Sequence, residues 1–157
     1  MAAHSFKTVQ IIPVSLQEAW AFFSNPSNLP LITPVAMSFN IISKYHGDNL
    51  YPGQILEYQV APVAGIKMYW MTEITHVEEY KYFVDEQRFG PYAMWHHQHF
   101  FRTVKDGIEM TDIIHYKNPF GFIGSAIDPF LTKPRLKKIF DYRRTKIEEV
   151  FGLRNTA

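Results

Sequence analysis

From Ser38 to Tyr116 the sequence keeps a two-residue rhythm, interrupted only by turn signals. Side chains on a strand alternate between its two faces, so a rhythm sustained this long demands an antiparallel meander with one face covered. The interruptions are His46-Gly47-Asp48-Asn49, Pro52-Gly53, Pro62-Val63-Ala64-Gly65, Gly90-Pro91 and Asp106-Gly107. They divide the run into strands over 38–45, 54–61, 66–78, 80–88 and 93–104, with a last one from Ile108 to Asn118-Pro119. Phe6 to Ile12, ended by Pro13, adds a strand at the start.

The pair around Gly90-Pro91 carries the oddest chemistry. Counting by twos puts Trp95, His97, His99 and Phe101 on one face and His96, Gln98, Phe100 and Arg102 on the other. The bulky aromatic set is the inward one, so two histidines sit on an otherwise apolar face. Asp106-Gly107 is a two-residue hairpin signal. It predicts Phe101 opposite Asp112, His99 opposite Ile114 and His97 opposite Tyr116, with Met110, Asp112, Ile114 and Tyr116 facing inward. Asp112 then lies diagonal to His99, within side-chain reach. The strand over 66–78 has two partly apolar faces, Ile66-Met68-Trp70-Thr72-Ile74 against Tyr69-Met71-Glu73-Thr75-Val77, and alternation does not choose between them.

Helices flank the strands. Ser15-Leu16-Gln17-Glu18 is a capping box, and Leu16, Ala19, Trp20 and Phe23 follow at helical spacing to about Ser24. Asn25-Pro26 opens a second short helix that Thr33-Pro34 stops. Near the C-terminus Asp128-Pro129 predicts a helix start, and Pro134 a kink or restart inside it. Leu136, Phe140, Arg143, Ile147 and Phe151 form one helical stripe, and Gly152 caps its end. Leu153 to Ala157 reads as a loose tail.

The 157 residues suit one domain over 1–157, and the 16% aromatic content suits a large core or an aromatic-lined pocket. Sixteen basic and fifteen acidic residues leave a net charge of +1, which argues against bulk attraction to nucleic acid. The basic final helix, from Lys133 to Lys146, reads as a solvated face. There is no cysteine, hence no disulfide and no thiolate chemistry. With no secretory signal in the first residues and no long apolar run, the expectation is a cytoplasmic protein without stable membrane insertion.

Trp20-Ala21-Phe22-Phe23, Asn25-Pro26-Ser27-Asn28-Leu29, Ile32-Thr33-Pro34, Trp70-Met71-Thr72-Glu73-Ile74-Thr75, Phe83-Val84-Asp85-Glu86-Gln87, Gly90-Pro91-Tyr92, Trp95 to Phe101 and Met110-Thr111-Asp112 together carry a family resemblance. The chain resembles the START/Bet v 1-like (SRPBCC) superfamily. Within it, the chain is similar to small bacterial ligand-binding SRPBCC proteins, including those labelled cell-division-inhibitor-like. The resemblance implies an α+β helix-grip fold: a seven-stranded antiparallel sheet wrapped around a long C-terminal helix, with two short helices after strand 1. It also implies a cavity between sheet and helix. It implies no single activity, because members include lipid and hormone carriers, aromatase/cyclases and hydrolase-like enzymes. It implies no cofactor and no metal.

His97, His99 and Asp112 are the candidates for acid–base work. The competing readings are a buried hydrogen-bond network and a non-catalytic pocket wall. A metal site ranks below both, because only two histidines share the face. Asp85 and Gln87 share a face with Phe83, and an inward Asp85 needs His97, His99, Arg143 or Arg144 as a partner. Trp70, Tyr92, Trp95, Tyr116 and Phe140 join Asp85, Gln87, His97, His99, Asp112 and Arg143 as expected ligand contacts. The expected function is binding of a small hydrophobic or amphipathic molecule. The alternatives are a cyclase, dehydratase or hydrolase using these His and Asp residues, and an interaction module or homodimer using the strand around Trp70 and Met71.

Overall fold

A computed structural model describes residues 3–44, 49–63 and 65–152. His46 to Asp48, Tyr45, Ala64 and the tail from Leu153 lie outside the described residues, so the expectations on them stand apart. Strand β1 (His4–Ile12) leads through the capping box into helix α1 (Leu16–Phe23). Ser15 accepts from the Glu18 amide, and the Glu18 carboxylate accepts from the Ser15 amide. Two 3-10 turns follow, Pro26–Ile32 and Val35–Met37. Asn25 caps the first of them by accepting from the Ser27 amide.

The remaining strands are β2 (Asn40–Ile41), β3 (Ile55–Val63), β4 (Ile66–Glu78), β5 (Tyr82–Phe89), β6 (Met94–Val104) and β7 (Gly107–Lys117). They make one seven-stranded sheet in the order β1-β7-β6-β5-β4-β3-β2, with every pairing antiparallel. β1 and β2 therefore sit on opposite edges. The chain between them has to cross the sheet, which lays α1 and both 3-10 turns over its open side. Helix α2 (Gly121–Ile127) and the long helix α3 (Thr132–Val150) complete the chain. Leu136, Phe140 and Ile147 of α3 are buried, the first two beside Ile114 and Tyr116 and the third beside Met110 and Phe101. Trp20 meets Phe83 and Phe101 edge-on, at 6.2 and 5.5 Å between ring centres. Such edge contacts add about 0.5–1.5 kcal/mol each beyond the area they bury. This is the helix-grip fold. Among the described residues no helix is long and apolar enough to cross a membrane.

Four expectations need correction. Among the described residues, the strand expected over 38–45 is reduced to Asn40–Ile41, and Ser38 takes a left-handed conformation (φ 45°) that ends the preceding turn. Helix α2 was not foreseen, and α3 starts at Thr132 rather than at Asp128-Pro129. Pro134 falls in the first turn of α3, where its missing N–H has no intrahelical acceptor to lose, so it neither kinks nor restarts the helix. The β6–β7 register is offset by two residues: Val104 pairs with Gly107, Phe101 with Met110, His99 with Asp112 and His97 with Ile114. Lys105-Asp106 form the turn. Gly107 (φ 130°) instead begins β7, packed so tightly on β1 that a Cβ would lie 2.2 Å from the Ile12 carbonyl oxygen. An even offset leaves every side chain on its predicted face.

A buried polar knot joins the first strand to the start of α3. The Asn118 amide donates to the Gly124 carbonyl at 3.1 Å and to Asp128 Oδ1 at 3.0 Å. Thr132 donates to Asn118 Oδ1 at 3.0 Å. His4 reaches Asp128 at 3.3 Å and Ser125 at 3.2 Å. Asp128 thus serves the knot with its side chain rather than capping a helix.

Candidate functional site

Three neighbouring strands bring four polar side chains together. On the ladder Asp85 of β5 sits opposite His97 of β6, and His99 of β6 opposite Asp112 of β7. His99 Nε2 is 2.7 Å from Asp85 Oδ2. His97 Nε2 is 2.9 Å from Asp112 Oδ1. His99 Nδ1 lies 2.9 Å from the same Asp112 oxygen, but without hydrogen-bond alignment. His97 Nδ1 stands 3.6 Å from Asp85 Oδ2, beyond hydrogen-bond length. The imidazoles lie 3.7 Å apart between centres with their planes tilted by 38°, and Phe83 stacks on His99 at 4.1 Å.

Both histidines are nearly enclosed, at 6% and 4% exposure, yet their proton affinities diverge. Burial and the adjacent His99 charge push His97 below the ordinary histidine value. Burial acts on His99 in the same direction, but its contacts with Asp112 and Asp85 outweigh it and raise His99. Burial likewise opposes ionisation of Asp112 and Asp85. For Asp112 the Arg143 charge and the two histidines overcome it; for Asp85 the histidines do so, helped by Arg143. These directions hold His99 toward its charged form and His97 toward its neutral form, so that with Arg143 the cluster tends to charge balance against the two carboxylates. Arg143 reaches it from the inward stripe of α3, with its guanidinium 5.7 Å from the Phe140 ring centre.

The cluster borders a cavity of about 190 Å³. Asp85, His97, His99 and Arg143 line it, and Arg143 Nε is buried with no hydrogen-bond partner among the described residues. Trp70, Tyr92, Trp95 and Phe140 supply aromatic wall. Trp70 and Trp95 meet edge-on at 5.4 Å, and Tyr92 lies 4.8 Å from Trp95. Burial pushes the Tyr92 phenol up to about 12, so it stays a neutral donor. Leu56, Tyr58 and Val60 of β3 and Leu136 and Ile139 of α3 complete the apolar sides.

Three expected contacts lie off the cavity wall. Asp112 sits behind the histidines, in a small crevice with Thr8, Gln10 and Arg144. Tyr116 is fully buried beneath His4, Tyr92 and Trp95. Gln87 accepts from the Tyr92 amide and donates to its carbonyl. That clamp explains Gly90, where a Cβ would fall 2.4 Å from Gln87 Oε1. The sequence reading placed a short helix after Asn25 but not its part in the cavity: Leu29, Ile32 and Met37 of the 3-10 turns, with Phe39 just beyond them, join the wall. No periodicity marks this segment.

The ambiguous strand β4 resolves through a bulge. Ile74 pairs with Asp85 and His76 with Val84, which leaves Thr75 unmatched. Trp70, Thr72 and Ile74 therefore line the cavity. The extra residue then changes phase, and Val77 packs against the core. The outer face is polar in part: Arg88 bridges Glu73 at 2.6 Å and Glu86 at 3.3 Å, Glu86 holds His96 at 2.8 Å, and Tyr69 donates to Glu57.

No family's sequence model matches the chain, and no curated protein does. Solved structures do. Ginseng major latex-like protein 151 from Panax ginseng superposes with a TM-score of 0.70 at 15% identity, covering 96% of this chain and 99% of its own. Protein Ms6760 from Mycobacterium smegmatis gives 0.70 at 15% identity, with 95% and 91% covered. Ara h 8.0201 gives 0.60 at 13% identity, with 94% and 99% covered. At such identities the likeness establishes the architecture alone.

Proposed function

We propose that this protein binds a small, largely apolar molecule in the cavity between the sheet and α3. The bound molecule turns one hydrogen-bonding group toward Asp85, His97, His99 and Arg143. The observation that carries this reading is a mainly apolar, aromatic-walled cavity lined in part by Asp85, His97, His99 and Arg143. Ligand sites are typically built this way, from hydrophobic walls with a few convergent polar groups. The volume of about 190 Å³ falls below the roughly 300–1,000 Å³ common for organic ligands. It exceeds the roughly 150 Å³ apolar cavity known to take benzene. The size supports a compact ligand of one or two rings rather than a long lipid chain. The test is a thermal-shift panel of mono- and bicyclic phenols, ketones and hydrocarbons on protein stripped of metal, with native mass spectrometry of the purified chain. Saturation at a hundredfold excess over Kd adds about 2.7 kcal/mol of stability, or roughly 5–10 °C for a chain of this size. Val60→Phe, which puts a ring into the cavity, abolishes that shift. A flat panel with an empty mass spectrum overturns the reading.

A second reading is supported by the diverging histidines. His97, held below the ordinary histidine value, and His99, held above it, face one cavity with ring centres 3.7 Å apart, the pattern of a base beside an acid. On that reading a bound ketone exchanges its α-hydrogens with solvent, and His97→Gln stops the exchange while binding persists.

A further inference from the structure

His97 presents its two ring nitrogens to two carboxylates: Nε2 lies 2.9 Å from Asp112 Oδ1, and Nδ1 lies 3.6 Å from Asp85 Oδ2, a gap too long for a direct hydrogen bond. His99 Nε2 is 2.7 Å from the same carboxylate oxygen. One donor atom from each of the three residues lies within 4.8 Å of the others. We propose that Asp85, His97 and His99 form a binding site for a divalent first-row transition-metal ion, open toward the cavity on its remaining side.

Three features support an ion over a proton alone. Donors held 2.0–2.2 Å from a shared metal stand roughly 2.9–3.4 Å apart. The distances from Asp85 Oδ2 to the two nitrogens, 2.7 and 3.6 Å, bracket that range, so shifts of a few tenths of an ångström bring those two pairs into it, and the two nitrogens lie within 4.8 Å of each other. The far nitrogens, His97 Nε2 and His99 Nδ1, both lie 2.9 Å from Asp112 Oδ1. A carboxylate behind a metal-bound imidazole fixes its tautomer and strengthens it as a ligand; Asp112 is hydrogen-bonded to His97 in this way and lies equally near His99. Finally, Asp85, His97 and His99 line the cavity whereas Asp112 does not. Three ligands on one side and an open side toward the cavity match the two-histidine, one-carboxylate pattern. With the ion bound, Asp85, Asp112 and Arg143 leave a net positive charge, so an oxygen anion suits the open position. That last step alone rests on the cavity-binding reading.

The test is Zn²⁺ titration of metal-stripped protein by calorimetry, with Co²⁺ absorption to report coordination. One ion per chain binds, and Zn²⁺ moves the ¹⁵N resonances of His97 Nδ1 and His99 Nε2. Asp85→Asn, which keeps the shape and removes the charged ligand, weakens binding at least a hundredfold. Asp112→Asn leaves all three ligands in place and weakens it about 10–100-fold. His96→Asn, on the outer face, binds as wild type does. The resonance measurement needs no variant, so a misfolded Asp85→Asn leaves the question decidable. If Zn²⁺ fails to bind, or moves only His96 and other surface histidines, the site does not exist. Because the thermal-shift panel uses metal-stripped protein, it stands or falls separately.

Discussion

Asp112→Asn in metal-free protein tests the electrostatics of the cluster. The substitution keeps the volume, and the amide oxygen still accepts from His97 Nε2, now 2.9 Å away. What disappears is the charge. The bond from His97 falls from the charge-assisted range of about 1.5–3 kcal/mol to the neutral range of about 0.5–1.5. His99 also loses one of its two carboxylates while remaining 4% exposed, an uncompensated burial that costs about 1–2 kcal/mol more. The total is about 2–3 kcal/mol, or a fall in Tm of roughly 5–10 °C. The pH dependence is more telling than the size. His99 is raised, so its stabilisation is complete below its unfolded value near 6.5 and disappears as pH rises through its folded value. Asp112 is lowered, so its contribution is complete above about 4 and disappears as pH falls toward its folded value. The gap between wild type and variant is therefore widest in weakly acidic to neutral solution and narrows on both sides. Urea unfolding at intervals from pH 3 to 10 measures it. A gap under about 1 kcal/mol, or one constant with pH, refutes the charge-balanced cluster.

Gly107→Ala forces a Cβ to within 2.2 Å of the Ile12 carbonyl oxygen in a left-sided conformation. Stability falls by more than about 2 kcal/mol, and hydrogen exchange rises first along the β1–β7 ladder; exchange confined to α1 contradicts the packing. Met71→Glu tests the homodimer alternative. Trp70 points into the cavity, so β4 offers its outer face to a partner without it. Wild type and variant sediment alike as monomers, and a wild-type dimer split by the variant places β4 at an interface.

The inward faces were legible because alternation survives any even error in register. The two-residue offset at the β6–β7 hairpin moved Asp112 from diagonal to directly opposite His99 without turning it outward. Its cause, the approach of β1 to Gly107, is a contact between distant parts of the chain that no local turn signal contains. β4 was illegible because Thr75 interrupts the alternation, making both faces apolar in different halves of one strand. Asp85 was legible as an inward acid needing a cation. Gln87 was not legible as a clamp, because its partner is backbone. Tyr116 keeps its face but lies too deep to reach the cavity. The segment from Pro26 to Met37 contributes much of one wall, yet 3-10 turns carry neither a helical nor a strand period.

The polar knot around Asn118 has a consequence for the order of assembly. Its Asn118–Asp128 half spans ten residues, while the His4–Ser125 contact spans 121. Loop-closure entropy grows as three-halves of RT times the logarithm of the span, so the second closure costs about 2 kcal/mol more than the first. The local half is then free to form as soon as the last helices emerge. The distant half waits until β1 has found β7, and the N-terminal edge becomes the last seam of the molecule to shut and the first to part.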